Sequence, residues 1–89
     1  MNFLITNDKD YKNDFSLNEI NHKNYKILFD DNWTRDNNSI TKGTANNYCT
    51  IKFDDTIEIT HNELRDFPLW FDKNTCSNFT KLDNYVPVD

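Results

Sequence analysis

The chain has 89 residues, 36% of them hydrophobic and 15% aromatic, with a formal net charge of −5. That length holds one domain, near the lower end of comfortable independent folding, and no stretch approaches the apolar run of a membrane-spanning helix. The acidic balance argues against a nucleic-acid binder, because displacing counterions from phosphates takes a cationic track and none is present.

Gly43 and Ala45 are the sole residues of their types, whereas β-branched Ile and Thr are frequent. This is poor material for long helices and good material for strands, with aromatic rings supplying much of the buried area. Asn is abundant and Gln is absent. We read that bias as the mark of an A+T-rich coding sequence, such as that of a low-GC bacterium, its phage or a mobile element. Its structural consequence is a supply of turn and cap residues.

In chain order, Phe3 to Thr6 reads as a short strand and Asn7 to Asp14 as its polar exit. Ser16 and Glu19 then have capping-box spacing, and Phe15 and Ile20 have hydrophobic-staple spacing, which predicts a short helix over about 17–23. Tyr25 to Phe29 is a strand ended by Asp30, Asp31 and Asn32. The polar segment Asp30 to Asn47 predicts a long loop or loose hairpin at about 30–47, with a short strand at Ile40 and a candidate turn at Lys42-Gly43. Trp33 within it either folds back over the core or is presented to a partner; the cost of leaving an indole in water favours the first.

From Tyr48 to Thr60 the residues alternate, with Cys49, Ile51, Phe53, Ile57 and Ile59 on one face. A two-residue turn would place Ile51 opposite Glu58. A three-residue loop instead pairs Phe53 with Ile57, Ile51 with Ile59 and Cys49 with His61, and burial of one face selects it. The cost falls on Thr56, a β-branched residue at a position that often needs positive φ. Thr60 and Glu63 form a second capping box, Ile59 and Leu64 a second staple, and Pro68 ends the predicted helix at about 61–67. Leu69 to Phe71 re-enters as a strand, Thr75 to Leu82 reads as another, and Pro87 confines the final segment to a sheet edge or an unpaired extension. The expected fold is α+β: a single domain over 1–89, with a mostly antiparallel sheet and one layer of two short capped helices.

Catalytic and metal motifs are sparse. His22, His61, Cys49 and Cys76 give no zinc spacing. Asp30, Asn32 and Thr34 alternate like the start of a calcium loop, but Arg35 stands where glycine is needed and no Glu closes it. Cys49 and His61 are the one candidate thiol and base, and the apolar strand face makes Cys49 core filler. Neither a metal nor a cofactor is expected, nor an enzymatic activity. The start MNFLITNDKD lacks a basic leader with a long apolar run, so a cytoplasmic protein with reduced thiols is expected.

The whole −5 falls after Lys26, since four acids and four lysines cancel before it. This suits a basic protein partner. The expected function is a small acidic protein that binds and blocks such a partner, for example an immunity protein against a nuclease toxin or a phage-encoded inhibitor of a host nucleic-acid-handling defence enzyme. Candidate contacts are Asp30, Asp31, Asp36, Asp54, Asp55, Glu58, Asp66 and Asp72, with Trp33 and Trp70 as anchors. The alternative is a structural or oligomerising module that uses exposed strand edges.

Overall fold

The computed structural model describes residues 2–44, 47–61, 69–79, 82 and 84–86, and over these the chain is all-β. Ten strands follow in order: β1 (Phe3–Thr6), β2 (Asn18–His22), β3 (Tyr25–Phe29), β4 (Thr34–Arg35), β5 (Ser39–Thr44), β6 (Asn47–Phe53), β7 (Ile57–His61), β8 (Leu69–Phe71), β9 (Thr75–Ser77) and β10 (Asn84–Val86). They build a six-stranded sheet of order β10-β8-β9-β1-β3-β2 and a four-stranded sheet of order β4-β5-β6-β7, and every neighbouring pair in these orders is antiparallel.

The two sheets close on one core. Phe3, Ile5, Ile20, Ile27 and Phe29 of the larger sheet meet Ile40, Cys49, Ile51 and Phe53 of the smaller, with Trp33 folded in beside them. Trp33 covers the core, its ring edge-on to Phe3 at 6.0 Å and 86°. The β6–β7 hairpin adopts the register that burial demands, pairing Phe53 with Ile57, Ile51 with Ile59 and Cys49 with His61. Thr56 does so without a positive φ. The segment after Asp30 is a hairpin in which β5, six residues long, runs through Ile40 and through the candidate turn at Lys42-Gly43.

The α+β expectation is wrong: no helix occurs among the described residues. Asn18–His22, expected as a helix, is an edge strand joined to β3 by Lys23 and Asn24. Two local facts defeat the cap. Ser16 has φ 54°, outside the extended geometry that an N-cap needs. Asn13 instead brackets Leu17, its Oδ1 accepting the Leu17 amide at 2.9 Å and its Nδ2 donating to the Leu17 carbonyl at 2.6 Å. A helix here would have offered Leu17 and Ile20 to the core and little else, whereas the strand inserts Ile20 opposite Ile27 and gains a hydrogen-bonded ladder. At the second expected helix, Thr60 and His61 continue β7, with Thr60 paired to Thr50, so Thr60 does not stand outside a helix as its cap. The rest of that expected helix lies outside the described residues.

The larger sheet is also covered on its outer face, which explains why all four residues of β1 are buried. Thr6 ends β1 beside Lys26, whereas Asn18 starts β2 beside Phe29, so the connection between them must cross the length of the sheet. It does so with Lys26 Nζ donating to the carbonyls of Lys9 and Tyr11 and with Phe15 edge-on to Phe79 at 5.2 Å. Leu4 and Leu28 are sealed beneath it, each worth about 1.5–3 kcal/mol of burial.

Candidate functional site

Strand register decides which connections meet. Thr6 at the end of β1 faces both Lys26 near the start of β3 and Thr75 at the start of β9. The β2–β3 turn at Lys23-Asn24, the β8–β9 turn at Asp72 to Asn74 and the exit from β1 therefore share one end of the sandwich. The β6–β7 loop joins them, because the His22 ring Nε2 bonds the Asp54 carbonyl at 2.6 Å and Lys23 pairs with Asp55 at 3.3 Å. Bonding of the Phe53 amide to the Asn38 carbonyl at 2.8 Å fastens the β4–β5 turn, with Asp36, beside that loop.

Between these loops lies a cleft of about 460 Å³. Its floor is apolar, made by Ile5, Ile57, Ile59 and Cys76, and it is flanked by Tyr25 and Phe71, each 38% exposed. The rim is polar, with Asp55, Thr56, Asp72, Lys73 and Asn74. An apolar pocket with a few polar groups around its mouth, framed by loops on a rigid β scaffold, is the usual form of a binding site. The rim is well fixed: Asp72 Oδ1 accepts the amides of Asn74 at 2.7 Å and Thr75 at 2.8 Å, while the Asp72 amide donates to the Thr75 carbonyl at 2.9 Å.

The expected contact residues do not form one patch. Asp36, Asp54, Asp55 and Asp72 sit at the cleft end, and Glu58 lies exposed on β7 beside it, opposite Lys52. Asp30 and Asp31 sit at the other end of β3 and are used internally. Asp30 accepts the amides of Asn2 at 3.0 Å and Asn32 at 3.2 Å, and Asp31 accepts Asn18 Nδ2 at 2.9 Å. Partial burial works against the Asp30 charge, but those two amide bonds together with the nearby positive amino terminus outweigh it and hold the carboxyl below the usual range. Trp33 is buried, so it is a core residue and not a presented anchor. Trp70, half-buried, lies opposite Ser77 in the larger sheet, and Asp66 is outside the described residues.

Tyr25, Phe71, Ile57 and Ile59 form the part of the site that sequence reading missed. Tyr25 continues the alternation of Ile27 and Phe29, and Phe71 that of Leu69, so each reads as one more core position. In the fold they line the open cleft instead.

Cys49 and His61 face each other as the register requires, but burial pushes the Cys49 thiol up to about 12, so it holds no thiolate near neutral pH. Burial raises the Cys76 thiol as well. Among the described residues no three His, Cys, Asp or Glu side chains converge to hold a metal ion, and no helix is long and apolar enough to cross a membrane. Comparison of the chain with protein-family models, with curated proteins and with solved structures gave no match.

Proposed function

We propose that the protein is a non-enzymatic binding protein that occupies and blocks a basic protein partner at the loop end of its sandwich. The observation that carries the reading is the open cleft itself, whose two part-exposed rings stand with Asp55 and Asp72 at its mouth in a chain of net charge −5. Long cationic side chains suit such a surface, laying methylene stems on apolar walls and their charged heads against carboxylates. The Lys and Arg residues with which a nucleic-acid enzyme holds phosphate are side chains of this kind. An immunity protein against a nuclease toxin, or a phage inhibitor of a nucleic-acid-handling defence enzyme, is the type of protein this reading describes.

The test is affinity capture of the tagged chain from lysate of its own host at low and high salt, repeated with Asp55→Lys and Glu58→Lys together. One basic nucleic-acid enzyme retained at low salt, weakened by salt and lost from the double variant is the expected result. A partner insensitive both to salt and to charge reversal would overturn the reading. The open edge of β7 favours a second reading, self-association through strand edges. A mass in solution that stays monomeric across concentration would eliminate it.

A further inference from the structure

The direction of the backbone groups along β7 says more about the partner. The Phe53 amide donates to Asn38, so the polar groups of Phe53 face β5. Polar groups alternate sides along an antiparallel strand, so those of Lys52 and Thr50 face β7 and are met by Glu58 and Thr60 in the observed register. The N–H and C=O of Ile57 and Ile59 therefore point outward. Among the described residues, no strand lies beyond β7 in its sheet and neither Ile57 nor Ile59 has a further hydrogen-bond partner. Past this edge, at the cleft end, half-buried Cys76 and exposed Phe71 line the cleft from the inner face of the larger sheet.

We infer that β7 accepts an extended, arginine-bearing segment of the basic partner as a fifth strand of the smaller sheet, with one arginine side chain lowered into the cleft. The inference rests on the basic-partner reading above and supplies its mode of binding. An added strand would satisfy the outward groups of Ile57 and Ile59, and its alternate side chains would fall on the apolar floor. Arginine fits that position: its stem suits the Ile and Cys floor, its planar head stacks on Tyr25 or Phe71, and Asp55 and Asp72 stand at the mouth. Lys73 stands on the same rim and Lys23 already pairs with Asp55 at 3.3 Å, so the arginine head competes with Lys23 for Asp55 in an exposed pair that is cheap to exchange. A second copy of this chain is the poorer occupant, because each copy brings a charge of −5.

The experiment is an amide NMR titration of the intact chain with an acetylated, amidated peptide alternating Thr and Arg over about six residues, a usual strand length. Two control peptides replace Arg by Glu or N-methylate the backbone at alternate residues. The expected result is shifts at the Ile57 and Ile59 amides and at Tyr25 and Phe71, with slowed exchange of those two amides. N-methylation on the pairing side should weaken binding by at least about tenfold. Shifts confined to the acidic loops and indifferent to N-methylation would overturn strand addition while leaving the basic-partner reading standing. Equal edge binding by the Glu peptide would do the reverse, and no shift with any peptide at millimolar concentration would overturn the inference.

Discussion

Trp33 offers the sharpest test of how this small core is assembled. It is 7% exposed and packs edge-on to Phe3, yet its Nε1 is the one buried side-chain nitrogen or oxygen without a hydrogen-bond partner among the described residues. Trp33→Ala removes the indole and leaves a cavity, at a cost of about 3–5 kcal/mol. For a domain with on the order of 5–15 kcal/mol in total, that brings it close to unfolding. Trp33→Phe behaves differently. It gives up the outer part of the indole, about 1–2 kcal/mol at roughly 25 cal/mol per Å². It also removes a buried donor whose desolvation costs about 1–3 kcal/mol. The two changes offset, and the net effect should lie between about 1 kcal/mol of loss and about 2 kcal/mol of gain. Urea unfolding followed by far-UV circular dichroism measures both variants without relying on tryptophan fluorescence. A Phe variant nearly as unstable as the Ala variant would refute the reasoning, because it would mean that Nε1 makes a bond. The Phe variant should also bind any captured partner as the parent does, since a core ring is not an anchor.

Lys23 holds φ 54° in the β2–β3 turn, a left-handed geometry that Asn tolerates better than Lys. Lys23→Asn should therefore raise stability by up to about 1 kcal/mol, read as a higher melting temperature; the Lys23–Asp55 pair it removes is too exposed to reverse the sign. Burial raises the Cys49 thiol to about 12, so its stabilising effect is complete below the unfolded thiol value near 8.5 and is lost as pH climbs toward about 12. Cys49→Ala should flatten that part of the alkaline unfolding profile. In native protein, iodoacetamide at mildly alkaline pH should modify Cys76, at the cleft, before Cys49; labelling of Cys49 at the rate of a free thiol would contradict its burial. Asp30 has a lowered carboxyl value, so its contribution is present above the ordinary carboxylate range and is lost as pH falls through the folded value. Asp30→Asn should lower the urea midpoint at neutral pH, and the difference from the parent should shrink steadily as the pH is lowered below the ordinary carboxylate range.

The hairpin from β6 to β7 was legible because three independent constraints agree on it. Alternation marks both strands, one face is apolar throughout, and only an odd loop keeps Phe53 beside Ile57. β1, β3 and β8 were legible as compact apolar runs, and the cost of solvating an indole correctly put Trp33 against the core. The helices were misread because a capping box describes how a helix begins, not whether its body has a face to bury. In a chain rich in Ser, Thr, Asn and Glu the spacing of Ser16 and Glu19 arises easily. The deciding facts were tertiary: an open side on β3 and an Asn13 side chain that closes on Leu17 from four residues away.

The site was less legible than the fold because a count of carboxylates does not say which ones are already used. Asp30, Asp31 and Asp72 all accept hydrogen bonds within the fold, so reversing them tests folding as much as binding. Asp36 and Asp55 are engaged more lightly, Asp36 by the neighbouring Asn37 amide and Asp55 by a solvent-exposed pair with Lys23, and Asp55 and Glu58 flank the open edge of β7. Charge reversal at Asp55 and Glu58 therefore separates recognition from stability in a way that reversal of the Asp30 to Asp36 segment does not. The same logic explains why the aromatic part of the site escaped notice: Tyr25 and Phe71 obey the periodicity of a core, and what makes them available is their place on the open cleft.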